Sequence, residues 1–165
     1  MRRILLVLIL FFGLSFEPAL SEESPQRYLF VSLIQKPHVF ASRQDMLSLV
    51  QFAKKARIKA LFIQIYRANI AIFPSKIGDT GLYNKYRNDL SEDPFQYLIK
   101  EAHAAGVEVH AWLNLLSLSE NRDAPILKKY GTGVLTRNKN KKVSIEDYKI
   151  DSQYFLEPGD LRIRE

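Results

Sequence analysis

The stretch EAHAAGVEVHAWLN, residues 101–114, contains a helix end, a glycine stop and a strand in direct succession. Gly106 predicts the end of the helix, because the residue after a last helical turn often needs the left-handed backbone that glycine tolerates. Apolar and polar side chains then alternate along Val107–Leu113, which is typical of a strand with two different faces. One face is aliphatic. The other presents Glu108, His110, Trp112 and Asn114.

Two further strands precede this stretch, and a helix separates each neighbouring pair. The strands are predicted at Tyr28–Gln35 and Lys59–Tyr66. Ser42 is predicted to cap the first helix, with Asp45 completing an acidic variant of the capping box. Asp93 is predicted to cap the second helix, with proline at the permitted first position.

The remaining segments are predicted to be less regular. Residues 67–92 are predicted to form a long loop, which is uncommon unless it is functional or mobile. A short helix is expected at residues 124–130. Residues 154–165 (YFLEPGDLRIRE) predict an extended segment, a Pro-Gly turn and the start of another helix.

The order β-α-β-α-β predicts an α/β fold with parallel strands and right-handed crossovers. The predicted inner face contains amide and aromatic side chains, which is more typical of a barrel lumen than of a doubly wound sheet. The segment Gln35–His38 after the first strand is not a glycine-rich phosphate loop. The sequence therefore favours a barrel.

The first residues are typical of a secretory signal. Two arginines precede the apolar core Ile4–Phe16, and small residues mark a cleavage site after Ser21. The alternative is a membrane anchor, which needs about 20 apolar residues, and this core stops at Glu17. We therefore predict a signal peptide at 1–21, a linker at 22–27 and one domain at 28–165. The mature protein would be exported, periplasmic or extracellular, and without a stable membrane anchor.

Composition excludes several classes of protein. A hydrophobic share of 47% with seven glycines and seven prolines argues against disorder. The lack of cysteine excludes a disulfide scaffold and thiolate chemistry. Removing 21 of the 165 residues leaves 144, and the net charge falls from +6 to +5. A closed (β/α)8 barrel needs roughly 250 residues, and this chain falls well short of that length.

The polar and aromatic side chains near the strand carboxyl ends form a candidate carbohydrate-binding site, since parallel α/β folds bind ligands there. Tryptophan and tyrosine offer flat faces for pyranose rings, amides bond hydroxyls, and arginine can hold a carboxylate bidentately. The candidate substrate-binding residues are Gln64, Tyr66, Arg67, His110, Trp112 and Asn114. The alternative places Tyr66 and Trp112 in a barrel core and makes His110 a hydrogen-bonded lumen residue.

The catalytic residues stay unassigned. Glycoside hydrolysis commonly uses two carboxyl groups, and Glu108 lies at the start of its strand, not at its end. Other acidic residues fall in loops, where most are solvated. His103 and His110 lack metal-ligand spacing, so neither a metal nor another cofactor is expected. The basic run from Arg137 to Lys142 lacks interleaved aromatics and predicts a solvated loop, with no nucleic-acid partner.

Three segments resemble the glycosyl hydrolase-like 10 family of secreted bacterial TIM-barrel proteins. They are FIQIYRANIAIFPSKIGD (62–79), EAHAAG (101–106) and VEVHAWLN (107–114). The resemblance extends over residues 28–165. It implies the amino-terminal portion of a (β/α)8 TIM barrel, apparently truncated, with Gln64, Arg67, His110, Trp112 and Asn114 lining the cleft. Some family members are associated with cleavage of peptidoglycan glycan strands, and the family's barrel continues for five more strands with an acidic strand-end motif.

Two functions remain open on the sequence. The first is the amino-terminal part of an exported glycoside hydrolase-like protein that cleaves cell-wall or other polysaccharide, including peptidoglycan glycan strands. The resemblance implies that this chain alone is inactive, so whether it is itself an enzyme stays open. The alternative is a short exported non-catalytic saccharide-binding α/β protein. A polysaccharide deacetylase would need Asp and His metal ligands at strand ends, and the sequence has no such set.

Overall fold

The computed structural model describes residues 25–137 and 144–164. The predicted signal peptide and most of the basic run lie outside these ranges. Within them, no helix is long and apolar enough to cross a membrane.

Three parallel strands form the central sheet. They are β1 (Arg27–Val31), β2 (Ile58–Arg67) and β4 (Glu108–Leu113), and β2 lies between the other two. The predicted parallel α/β order is therefore confirmed. Among the described residues no strand pairs with the outer edge of β1 or of β4, so the sheet is open and not a closed barrel. β1 is shorter than predicted, since the chain turns after Val31.

Two helices cover one face of this sheet. They are α1 (Arg43–Lys55) and α3 (Pro94–Ala104). Ser42 Oγ accepts a hydrogen bond from the Asp45 amide at 3.0 Å, which confirms the predicted cap. Asp93 Oδ1 accepts from the amides of Phe95 and Gln96, both at 2.9 Å. Gly106 has a φ of 76°, in the left-handed region, as its place after α3 requires.

The main hydrophobic core lies between the sheet and these helices. Met46 and Ala53 of α1, Leu61 and Ile63 of β2, and Leu98 of α3 are fully buried. Burying each of the larger side chains stabilises the fold by roughly 1.5–3 kcal/mol. The aliphatic face of β4 is covered only at its start, and Leu113 remains 42% exposed.

The predicted irregular loop at 67–92 was wrong. It contains the short strand β3 (Ile70–Ala71), which pairs antiparallel with β2, and the helix α2 (Gly81–Leu90). The buried residues of α2 are Tyr83, Tyr86 and Leu90, and their spacing places them on one face. Tertiary packing of this face stabilises a helix whose start has no side-chain cap.

A smaller unit follows β4. It contains β5 (Ser117–Ser119), α4 (Pro125–Tyr130), β6 (Tyr154–Phe155) and α5 (Leu161–Arg164), with short 3-10 helices at Gly131–Val134 and Ile145–Tyr148. β5 and β6 pair antiparallel, and a second apolar cluster forms around them. Tyr154 is fully buried in this cluster. The predicted helices near residues 124–130 and at the carboxyl-terminal end are confirmed.

Candidate functional site

A cavity of about 230 Å³ opens where β1 and β2 end. Its wall is mostly apolar, with three polar side chains at the edge. The lining residues are Leu33, Ile34, His38, Arg67, Ala68, Ile70, Leu82 and Ser119. This is the carboxyl end of the parallel strands, where α/β folds bind their ligands.

Arg67 is the last residue of β2 and begins a tight turn into β3. Arg67 pairs with Ile70, and the two residues between them, Ala68 and Asn69, have φ values of 53° and 64°. Two consecutive left-handed residues define the tight hairpin turn that matches strand twist. The guanidinium is partly buried, and its Nη2 donates to Ser119 Oγ at 3.2 Å.

Two asparagines hold this turn in place. Asn69 is fully buried. Its Nδ2 donates to the Tyr66 hydroxyl at 2.7 Å, and its Oδ1 accepts from the Ile126 amide at 3.2 Å. Asn121 Nδ2 donates to the Ala68 carbonyl at 2.8 Å. The turn is thus bound to α4 and to the segment after β5, which fixes the backbone from which Arg67 projects.

Gln64 and Tyr66 are both buried, at 2% and 7% exposure. Gln64 Oε1 accepts from Ser32 Oγ at 3.0 Å and from the Leu33 amide at 3.1 Å. These bonds connect β2 to the turn after β1. The β2–β4 register shifts between Gln64 and Tyr66, and the Tyr66 ring packs 6.2 Å from that of Phe73.

An aromatic row crosses the open inner face of the sheet. Phe30, Phe62 and His110 are neighbours in register on β1, β2 and β4. Their rings stack with centroid separations of 4.7 Å and 4.9 Å. Trp112 meets Phe30 edge-on at 5.7 Å. Because Phe30 is 60% exposed, this row is accessible from the side opposite the helices.

The remaining predicted site residues lie beside this row. His110 Nε2 is 3.3 Å from Glu108 Oε2, and both side chains are about half exposed. Asn114 follows β4, and its backbone amide donates to the Tyr66 carbonyl at 2.9 Å. The structure therefore places Arg67 at the cavity, His110 and Trp112 on the inner face, Asn114 at a strand end, and Gln64 and Tyr66 inside the protein.

Sequence reasoning missed two residues of this arrangement. Phe30 belongs to the inner aromatic row, and the alternation of Tyr28, Leu29 and Phe30 was the signal for it. Asn121 supports the turn after Arg67 through its hydrogen bond to the Ala68 carbonyl, 53 positions earlier in the sequence. No local pattern marks such a residue.

In the described parts of the chain, β1, β2 and β4 end at Val31, Arg67 and Leu113, none of which is a carboxylate. No cluster of three histidine, aspartate or glutamate side chains in those ranges has the geometry of a metal site. In the smaller unit, Lys149 and Arg122 lower the pKa of Glu146.

A parallel α/β sheet with a ligand-sized opening at its strand ends is an architecture shared by many enzymes, and sequence comparison gives the class. The family model Glycosyl hydrolase-like 10 matches residues 27–165. The chain therefore belongs to this glycosyl hydrolase-like family.

Two relatives carry glycosyl hydrolase names. Glycosyl hydrolase DigH of Escherichia coli (strain K12) is 26% identical over 121 residues, which make up 71% of this chain and 28% of that protein. Glycosyl hydrolase YngK of Bacillus subtilis (strain 168) is 30% identical over 84 residues, 48% of this chain and 16% of that protein. The chain thus matches less than a third of either relative.

Proposed function

We propose that this chain forms the amino-terminal part of an exported glycoside hydrolase-like (β/α)8 barrel. Its strand carboxyl ends bind a polysaccharide of the cell wall, with peptidoglycan glycan strands as the leading candidate. The observation that supports this most is the cavity beside Arg67 at the ends of β1 and β2, in a chain of the glycosyl hydrolase-like family.

The open edges of the sheet support the proposal of a larger barrel. The outer edges of β1 and β4 have no strand partner among the described residues, and such edges favour pairing with further strands. The inner aromatic row, with Phe30 60% exposed, would become the lumen of a closed barrel. Export is supported by the predicted signal peptide at residues 1–21.

This chain by itself binds glycan without cleaving it. Glycosidases commonly need two carboxyl groups, about 5–5.5 Å apart for retention or 6.5–9.5 Å apart for inversion. Glu108 lies at the amino end of β4 and pairs with His110. The acid and base are therefore expected on βα units outside the described residues.

Incubation of the purified chain with peptidoglycan glycan strands tests this function. We expect the chain to be retained by the glycan and to generate no new reducing ends. Arg67→Ala is expected to weaken retention. Arg27→Ala, at the opposite end of the strands, is the matched control and should bind as the parent does. New reducing ends that disappear on substitution of Arg67 or Asn114 would overturn the inactivity of this chain.

A second candidate is a non-catalytic saccharide-binding protein that folds as it stands. The two separate apolar cores of the described residues favour it. This candidate requires cooperative thermal unfolding and a rise of Tm with saccharide. A gradual melt that saccharide does not shift would exclude it.

A further inference from the structure

We infer that a groove between the main unit and the smaller unit binds an acidic peptide segment of a partner protein, with an apolar side chain of that segment in the groove. The groove is lined by Lys76 and Ile77, which lie between β3 and α2, and by residues of α4 and α5. The described residues that line it differ from those that line the cavity beside Arg67. The inference is therefore independent of carbohydrate binding.

Much of the groove is apolar. Its lining includes Pro125, Ile126, Ile163 and the side of Ile77, which is 57% exposed. The volume of the groove is about 260 Å³, below the roughly 300–1,000 Å³ of typical small-molecule sites. A groove of this size suits one anchoring side chain of a peptide rather than a complete small-molecule ligand.

Two lysines give the groove a positive charge that no acidic residue neutralises. Among the described residues, no carboxylate lies within salt-bridge distance of Lys76 or Lys129. Lys129 Nζ lies 4.7 Å from the centroid of the Tyr130 ring, which attracts the ammonium group. Arg162 also lines the groove, but it is paired with Asp160. The charge of the two lysines is complementary to a peptide that carries carboxylates.

One buried side chain connects the two segments that form the groove. Asn69 is fully buried. Its Nδ2 donates to the Ile77 carbonyl at 3.4 Å, and its Oδ1 accepts from the Ile126 amide at 3.2 Å. Because both segments bond to the same side chain, their separation is fixed before a ligand arrives, which lowers the entropic cost of binding.

Fluorescence polarisation with the purified chain tests the inference. The first probe is a short labelled peptide in which pairs of glutamates flank a pair of leucines. The second has glutamine in place of each glutamate, and the third has lysine there. We expect the chain to bind the glutamate peptide at least about threefold more tightly than the glutamine peptide, since each exposed ion pair contributes up to about fivefold.

Charge reversal assigns this preference to the groove. The double variant Lys76→Glu with Lys129→Glu should bind the lysine peptide more tightly than the glutamate peptide, a gain that an unfolded variant would not show. Ile77→Ser should weaken the binding of the glutamate and glutamine peptides by a similar factor, because the apolar contact is common to both. The control is Lys54→Glu with Lys55→Glu, at the exposed end of α1. It changes the net charge equally and should keep the preference of the parent.

Three outcomes would overturn the inference. The first is equal affinity of the parent chain for the glutamate and glutamine peptides. The second is an unreversed preference in the variant with Lys76→Glu and Lys129→Glu. The third is an equal reversal in the control variant, which would show that net charge alone attracts the peptide. Retention by glycan is measured with a different ligand, so these outcomes leave the proposed function unchanged.

Discussion

Polar residues at the strand ends of this protein have two different tasks. Gln64 and Asn69 are buried and bond to the protein itself, whereas Arg67 faces a cavity. The sequence could not separate these tasks, because an amide at a strand end has the same pattern whether it bonds to a backbone group or to a sugar hydroxyl. The burial of the side chain and its hydrogen-bond partners distinguish the two cases, and both depend on residues distant in sequence.

Gln64→Leu tests the structural task. The change removes the acceptor of the buried Leu33 amide, and an unsatisfied buried donor costs about 1–3 kcal/mol. We expect the free energy of unfolding, measured with urea, to fall by that amount. Gln44→Leu, whose amide is exposed on α1, should change it by no more than about 0.5 kcal/mol. Equal losses in the two variants would contradict this role of Gln64.

Gly78 allows the close approach of three groups behind the cavity. A Cβ at this position would lie 3.2 Å from both Ala71 Cβ and Tyr66 Cε2, and 3.3 Å from the Asn69 carbonyl oxygen. Gly78→Ala is therefore expected to lower the free energy of unfolding by about 1–3 kcal/mol. Gly133→Ala is the control, since its nearest contact would be 3.6 Å, from a flexible arginine tip. A smaller loss for Gly78→Ala than for Gly133→Ala would refute the packing argument.

Asp160 predicts an acid-range dependence of stability. Hydrogen bonds from Arg162 lower the pKa of this carboxyl from 3.8 to about 2. Because the pKa is lower in the folded state, the stabilisation is present above pH 3.8 and is lost as pH falls through 2. Asp160→Asn should therefore be less stable than the parent at pH 5 and converge with it near pH 2, measured by urea unfolding. A stability difference that stays constant between pH 5 and 2 would contradict this.

At the scale of the elements, the sequence predicted those helix ends that nearby residues determine. The caps at Ser42 and Asp93 and the glycine after α3 mark helix ends through bonds within three residues. The prediction missed α2. Thr80 makes no side-chain capping bond at the start of this helix, and Tyr86 and Leu90 pack into the main core. That packing depends on tertiary structure, which the sequence pattern alone did not reveal.

Asp93 joins α2 to the start of α3. Its Oδ1 caps α3, and its Oδ2 accepts from the Tyr83 hydroxyl at 3.0 Å. Asp93→Ala should lower the free energy of unfolding by about 0.5–2 kcal/mol. Asp93→Asn should keep most of the stability of the parent, because asparagine also caps helices. Burial, together with Asp93, raises the pKa of Tyr83, so in both variants this pKa should move down towards its usual value, as followed by NMR. An unchanged Tyr83 pKa in Asp93→Ala would show that the two side chains do not interact.

At the scale of the whole molecule, the sequence predicted the parallel pairing of the strands but not the boundaries of the sheet. Helices that alternate with strands impose parallel pairing, and the structure has it. Closure depends on partners for the outer edges of β1 and β4, which the described residues do not supply. Export by a signal peptide remains a prediction, since residues 1–21 lie outside the described ranges.

We propose that carbohydrate binds at the carboxyl ends of the strands. NMR titration of the purified chain with a peptide-free peptidoglycan oligosaccharide tests it most directly, because Trp112 is the single tryptophan and gives one indole signal. We predict shifts of that signal, of the Arg67 side chain and of the Asn114 amide, with Arg27 and Lys59 at the amino ends unchanged. Shifts confined to the amino ends, or none at saturating oligosaccharide, would contradict the claim.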